Sequence, residues 1–368
     1  MNFHVSSEQI LKDWNALHQI PEIAFQEFKT SDYLKKRVEE EGFEVMPLTE
    51  TGFLAKLDSG IPGPSYCLRT DIDALSFPNP DGTFEMKHAC GHDAHMSMVL
   101  NAGIALKNEG FKRGILYLLF QPAEETVRGS DEIIKAGLPK LDGMFGIHLR
   151  PEVECSMGHA ASRLMHNASI PTVATFHGVA SHGARPHLGK NALSAAALAI
   201  TMVDGFRIDT DRQWSAKATC IDSFGNLQNV VPDRIEVKFD LRAQTNDLGG
   251  QISAFVKEAC EKAAETFGCT VEVVSRAAYA AEYSDDMVAI AEEAITQVFG
   301  EVSPTINTLG SEDFHAYHIV AGIPTAYIAL GTDLKPGLHA RDMCFNTDCM
   351  PYGAELLYRT AKLALEEH

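Results

Sequence analysis

Apolar and polar positions repeat along this chain with two different periods. SEQILKDWNALHQIPE has helical spacing and stops before Pro21; a second helix is predicted over 26–41, ending at Gly42. GFEVMPL and TGFLAKLD predict short strands. SYCLRTDIDAL, GILYLLFQPAEE and DGMFGIHLRP share one design, an apolar strand core that turns polar at its C-terminal end. AHMSMVLNAGIALKNEG, between the first two, is helical in period. Apolar strands alternating with helices predict a mostly parallel α/β sheet, whose ligands sit beyond the carboxyl ends of the strands. Asp71, Glu124, Glu125 and His148 all fall just past such a strand core. The stretch HACGHDAH, residues 88–95, falls in a loop before the helix.

The middle of the chain changes rhythm. SIPTVATFHGV, SAKATCIDSF, DRIEVKFDLRAQ and CTVEVVSR predict strands, and GKNALSAAALAITMVDGF and LGGQISAFVKEACEKAAETFG predict helices, the latter stopped by Gly268. Their order is βαββαβ, the split plan of an antiparallel sheet with two helices on one face. The α/β pattern then resumes with DDMVAIAEEAITQVFG, TAYIAL and a helix near 350–366. The expected organisation is one α/β domain, 1–166 with 278–368, carrying an inserted ferredoxin-like α+β domain at 167–277.

Composition narrows the class. The 368 residues suffice for two cores, and 45% hydrophobic with 22% charged residues is ordinary for a globular protein. A net charge of −19 argues against a nucleic-acid partner or an anionic membrane surface. No signal-peptide layout opens the chain and no apolar run reaches the roughly 20 residues of a membrane span, so a cytoplasmic location is expected. The 8 cysteines form no CxxC pair and predict reduced, mostly buried thiols, Cys90 excepted for its neighbours.

Thiolate and imidazole are common metal ligands, and Cys90 and His92, two apart in an extended loop, can face one point. That pair alone leaves metal site, reactive thiol and polar loop open. Glu124 and Glu125 at a strand end could divide two jobs, one ligating an ion and the other acting as general base. His148 and His339 complete a plausible set for two ions, each being weak singly.

The motifs LRTDIDAL, HACGHDAHM, FQPAEE, GIHLRP, SHGARPHLGKN, NVVPD, DLRAQTN, GSEDF and GLHAR occur in the family order of amidohydrolases. The chain resembles the bacterial and plant group that includes hippurate hydrolase, N-acyl-amino-acid hydrolases and indole-acetyl-amino-acid hydrolases. These belong to the wider dinuclear metallopeptidases, and GARPHLGKN with DLRAQTN looks most like the AmhX-type bacterial branch. The resemblance implies metal ligands at Cys90, His92, Glu125, His148 and His339, with Cys90 in place of a bridging aspartate. It implies Glu124 as general base and then acid, Asp71 as the carboxylate that orients the site, and Arg69 where the wider class has a histidine. His182 matches an oxyanion-stabilising histidine of a lid and dimerisation domain, supplied in dimeric relatives by the neighbouring subunit. Asn229 and Arg242 match substrate-gripping residues. His88, Asp93 and His95 are expected behind the ligands. The chain departs from the pattern at Ala340, where relatives often carry a second histidine, and at Phe224-Gly225, which replaces a glycine pair.

The expected function is hydrolysis of N-acyl amino acids by metal-activated water, with two divalent ions (zinc, manganese, cobalt or nickel) and a small-molecule substrate. A homodimer through the inserted domain is an open expectation. The alternatives are a dipeptidase on the same site, a binding protein that keeps the fold, and a hydrolase using Cys90 as nucleophile. Glu124 argues against the second, because a binding protein needs no base. The recurrence of Glu125, His148 and His339 at strand ends argues against the third.

Overall fold

Alternating apolar side chains account for how the larger sheet is buried. Along Ile115–Gln121, Leu116, Leu118 and Phe120 enter one hydrophobic cluster, while Tyr117 and Leu119 enter another on the opposite face. A strand apolar on both faces must be covered on both, which is the condition of a parallel sheet. In the computed structural model, which describes residues 3–367, the strands run in the order Glu44–Pro47, Phe53–Asp58, Ile115–Gln121, Ser65–Asp71, Gly143–Pro151, Thr325–Leu334, Ala160–Ala161. The four strands from Ile115–Gln121 to Thr325–Leu334 are mutually parallel, and the edges are antiparallel. This is the expected mostly parallel α/β sheet.

The helix His92–Glu109 is buried from His92 through Leu106, so it is a core helix covered on all sides. It packs with the helices Ser7–His18 and Met350–Glu367. Two expectations need correction. The 88–95 stretch is not all loop, because the helix already starts at His92. Gly91 permits this: its φ is +89°, and a Cβ there would come within 2.7 Å of Leu149 Cδ1. His148 likewise lies inside its strand, not after it, because pairing with Thr325–Leu334 carries the strand on to Pro151. The neighbouring Ser65–Asp71 strand pairs only as far as Gly146, so His148 still emerges beyond it.

Two compact units divide the chain. One holds the larger sheet; the other comprises His166–Ala281 with Leu309–Ser311. In the second unit Ile235, Val237, Phe239, Leu241 and Ala243 alternate inward along Arg234–Ala243. That strand pairs antiparallel with Trp214–Asp222 on one side and Thr172–His177 on the other, and Thr270–Ser275 follows. The helices Ala192–Asp204 and Asn246–Thr266 share its core. Asn191 and Thr245 cap them through hydrogen bonds from Leu193 and Ser194 and from Leu248. All eight cysteines are free and mostly buried, as expected, with Cys220 and Cys344 the exposed exceptions. Among the described residues no helix is long and apolar enough to cross a membrane.

A buried carboxylate joins the first two helices to the core. Asp13 accepts hydrogen bonds from Arg37 Nε (2.9 Å), Tyr33 Oη (2.7 Å), Asn101 Nδ2 (3.0 Å) and Gln9 Nε2 (3.1 Å). Burial pushes its pKa up, but these donors, Arg37 first, hold it below the ordinary value. Its stabilising contribution is therefore present above the unfolded value, about 3.9, and is lost as the pH falls through the folded one. Arg37→Met is expected to cost about 3 kcal/mol at neutral pH by stranding the charge. The gap to wild type should narrow as pH is lowered from about 7 toward 4, where protonation removes that stranded charge. Urea unfolding at several pH values checks this; a gap constant with pH would exclude the pairing as its cause.

Candidate metal centre

Asp71 is the last residue of its strand, Glu124 and Glu125 form a 3-10 turn just past Gln121, and His148 points out of the next strand. Cys90 and His92 flank Gly91 at the helix start, and His339 comes from the loop after Leu334. These pieces meet. Cys90, His92 and His148 form one set of closely grouped ligand atoms, and Cys90, Glu125 and His339 form another. Within each set the ligand atoms all lie within 4.8 Å of one another. Cys90 belongs to both.

Hydrogen bonds fix which imidazole nitrogen is free. His92 Nδ1 lies 2.9 Å from the Asp73 carbonyl oxygen, and His148 Nδ1 lies 2.7 Å from that of Leu149. A carbonyl only accepts, so each Nδ1 carries the proton and Nε2 is turned toward the cluster. His95 Nε2 accepts from Leu149 N at 3.0 Å, so its Nδ1 donates to Asp71 Oδ1, also at 3.0 Å. Asp93 accepts from His18 Nδ1 at 2.7 Å. His88 is buried with neither ring nitrogen hydrogen-bonded among the described residues.

The donor set fits a metal. His92 Nε2 and Glu125 Oε1 are buried without hydrogen-bond partners and stand 3.9 Å apart. Sulfur and nitrogen ligands of one tetrahedral zinc ion stand about 3.5 Å apart, and nitrogen and oxygen ligands about 3.4 Å. Cys90 Sγ and His148 Nε2 are 3.6 Å apart; His339 Nε2 and Glu125 Oε2 are 3.4 Å apart.

The electrostatics point the same way. Burial, then the carboxylates of Glu312, Glu125 and Asp313, push Glu124 well above the usual carboxylate range. Burial lifts Glu125 to about 7, and burial with Glu125 lifts the Cys90 thiol. His92 is opposed by burial yet raised by Asp71 and Cys90, whereas burial and His95 hold His148 neutral. The cluster thus carries an excess of acceptors that a divalent cation would satisfy.

Several supporting roles were missed, including that of Arg69, whose position was named without its partners. The Asp73 carboxylate accepts from the backbone N–H of Glu124 (3.1 Å) and Glu125 (3.0 Å), which pins the turn that carries both. Arg69, buried, donates to Asp71, Gln121, Glu312 and Asp313. Asp73 lies two residues past a strand end and was a legible candidate; Glu312 and Asp313 stood in GSEDF without an assigned role.

The remaining predicted residues belong to the second unit. His182 pairs across from Val230, and Gly183 N donates to Asn229 O at 2.7 Å, so His182 and Asn229 are neighbours. Arg242 is near the far end of the Arg234–Ala243 strand, bonded to Asp240 at 2.9 Å. It lines a cavity of about 470 Å³ with Asn167, Gln213, Trp214, Asp240 and Leu309.

Residues 67–363 match the profile described as Peptidase family M20/M25/M40. An N-acetyl-L-cysteine deacetylase of Bacillus subtilis is 27% identical, over 100% of this chain and 91% of that protein. An indole-3-acetyl-aspartic acid hydrolase of Enterobacter agglomerans is 31% identical, over 84% and 76%. The fold is similar to that of a Bacillus subtilis protein described as a dinuclear metal binding peptidase from the M20 family, with a TM-score of 0.78, 22% identity and 98% of each chain covered.

The protonated state of the cluster makes a prediction. Ions must displace protons held on His92, Glu125 and Cys90, so loading should release protons and tighten as pH rises from about 6 to 8. Calorimetric titration with Zn²⁺ in buffers of different ionisation heat measures the release; no release would contradict these proton assignments.

Proposed function

The chain belongs to Peptidase family M20/M25/M40, hydrolases acting on amides, and from that premise we propose that it is a metal-dependent amidohydrolase cleaving N-acyl amino acids. One observation carries the reading: two ligand sets share Cys90, and Glu124 stands beside them, its Oε2 3.8 Å from His92 Nε2 and its carboxylate also grouped with those of Glu125, Glu312 and Asp313. Cys90, His92 and His148 would hold one ion, and Cys90, Glu125 and His339 the other. Divalent ions so held supply Lewis acidity toward the amide carbonyl and acidify water.

The chain's own residues do the rest. Burial and neighbouring carboxylates raise the proton affinity of Glu124, and with cations bound beside it the carboxylate would be free to take a proton from the attacking water. Hydroxide adds to the carbonyl carbon. Glu124 then returns the proton to nitrogen as the C–N bond breaks, releasing carboxylic acid and amino acid. Asp71 is held by Arg69 at 2.9 Å and orients the His95 ring, while the Asp73 carbonyl orients His92. His182 donates to the developing oxyanion, a contribution of about 10²–10³ in rate. Asn229 and Arg242 bind the substrate's carbonyl and carboxylate. The reading also keeps the chain in the cytoplasm, where eight free thiols persist.

The geometry of the second unit favours a dimer. Between Arg234 and Arg242 the strand spans about 26 Å at about 3.3 Å per residue, and Asn229 and His182 lie before Arg234. We infer that residues 167–277 act as lid and dimerisation domain and that His182 and Asn229, which stand together and apart from Arg242, act in a neighbouring subunit's site.

Glu124→Gln should retain metal and lose nearly all turnover of N-acetyl and N-benzoyl amino acids; an active variant would remove Glu124 as the base. Chelation should abolish activity and a divalent ion restore it, whereas full activity of metal-free protein would favour Cys90 as nucleophile. Faster turnover of dipeptides across the same panel would favour a dipeptidase. Mixing inactive His182→Ala and Arg242→Ala subunits should restore activity; no restoration would place both residues in one subunit's site.

A further inference from the structure

The two ligand sets are unequally supported. Cys90, His92 and His148 are buried, and the two imidazoles are each backed by a backbone carbonyl. His339 differs on every count. Its side chain is 55% exposed, and among the described residues its ring has no hydrogen-bond partner behind it. Its backbone sits at φ +64°, a conformation that side-chain-bearing residues rarely adopt. Within the loop Lys335 and Cys344 exchange backbone hydrogen bonds at 2.9 and 2.8 Å, but a strained residue persists only where its surroundings also hold it.

Two contacts do so. His339 N donates to Ala89 O at 2.8 Å, next to Cys90. Two residues on, Arg341 reaches the hairpin formed by Leu75–Pro78 and Phe84–Lys87. Its Nη1 donates to Asn79 Oδ1 at 2.8 Å, its Nη2 donates to Pro78 O, and Glu85 Oε2 lies 3.6 Å away. The guanidinium lies over the Phe77 ring, 5.5 Å from its centre, and Lys87 Nζ donates to Arg341 O at 3.3 Å. The planar fork thus bonds a side chain and a backbone carbonyl while stacking on an aromatic face, which a lysine cannot reproduce.

We propose that Arg341 is a positioning residue that clamps the His339 loop to the Leu75–Lys87 hairpin, and that this clamp selectively sets the affinity of the ion held by Cys90, Glu125 and His339. The inference rests on the reading of His339 as a metal ligand. The ion of the buried set binds tightly, and the second is the exchangeable one. The hairpin, which contributes no ligand, governs occupancy of the second site.

Metal-free protein titrated with Zn²⁺ by calorimetry, with metal content checked by mass spectrometry, tests this. Wild type should bind two ions, one tighter than the other. Arg341 is 40% exposed and bonds the hairpin, not the imidazole, so Arg341→Ala should weaken the second by about 3–10-fold, less than loss of a partner bonded to a ligand, and leave the first unchanged. Arg341→Lys and Asn79→Ala should fall between, and thermal unfolding of the metal-free variants should match wild type. Equal second-ion affinity in Arg341→Ala, alongside loss of that ion in His339→Ala, would overturn the clamp but keep the ligand. Weakening of both ions alike would also overturn it. Two ions bound at wild-type strength by His339→Ala would instead overturn the ligand reading. If Arg341→Ala fails to fold, Asn79→Ala decides by the same criteria.

Discussion

A single buried guanidinium organises the rim of the larger sheet. Arg69 is 1% exposed and cannot lose its charge, so it must be paired where it lies. Its Nη1 bonds Asp71, its Nε bonds Gln121, and its Nη2 bonds Glu312 and Asp313. Those partners come from two adjacent strand ends and a segment more than 240 residues away. Asp313 passes the constraint on to Gln121 Nε2 and Ser130 N, and Glu312 to Tyr327 Oη. Asp71 passes it to His95, whose other nitrogen holds the backbone of Leu149 beside His148. Removing Arg69 would strand three carboxylates in the interior at once. The ligand geometry therefore depends on a cation that touches none of the proposed ligands.

The same interior creates the demand for metal. Asp71, Glu124, Glu125, Glu312 and Asp313 crowd one end of the sheet, and Arg69 compensates those on its own side. Glu124 stands close to Glu312 and Asp313, yet for it and for Glu125 the positive charge comes from His92, and burial lifts both toward the neutral acid. The αL conformation of Ala123, φ +56°, and the Asp73 carboxylate hold the Glu124–Glu125 turn in place. An acidic pocket fixed by backbone and second carboxylates cannot relax by turning its side chains to water. Protons or cations are its remaining means of neutralisation.

Much of this arrangement was legible. Apolar strand cores that end in polar residues located Asp71, Glu124 and Glu125 at the rim, because a parallel sheet exposes its carboxyl ends there. The βαββαβ order of the second unit followed from its alternation, as in Ile235 through Ala243. His148 and His92 were misplaced locally, one by a strand that pairs further on one side than the other, the other by a glycine that lets a helix start early. The supports were the hidden part. Arg69 with Glu312, or Arg341 with Asn79, are 243 and 262 residues apart, and no periodicity relates such pairs. Motif order brought in the second unit's His182, Asn229 and Arg242, but only the strand register showed that two of them stand together and the third apart.

A division of labour follows from where each ligand is rooted. A buried turn, the helix after it and a strand carry Cys90, His92 and His148, and backbone carbonyls fix the two imidazoles. Glu125 depends on a turn pinned by Asp73, and His339 on a loop pinned by an exposed hairpin. Rigidity thus decreases stepwise from the sheet outward. Of the proposed ligands, one set is thus rooted in the fold, and the other hangs on a turn and on the loop that holds its outermost member.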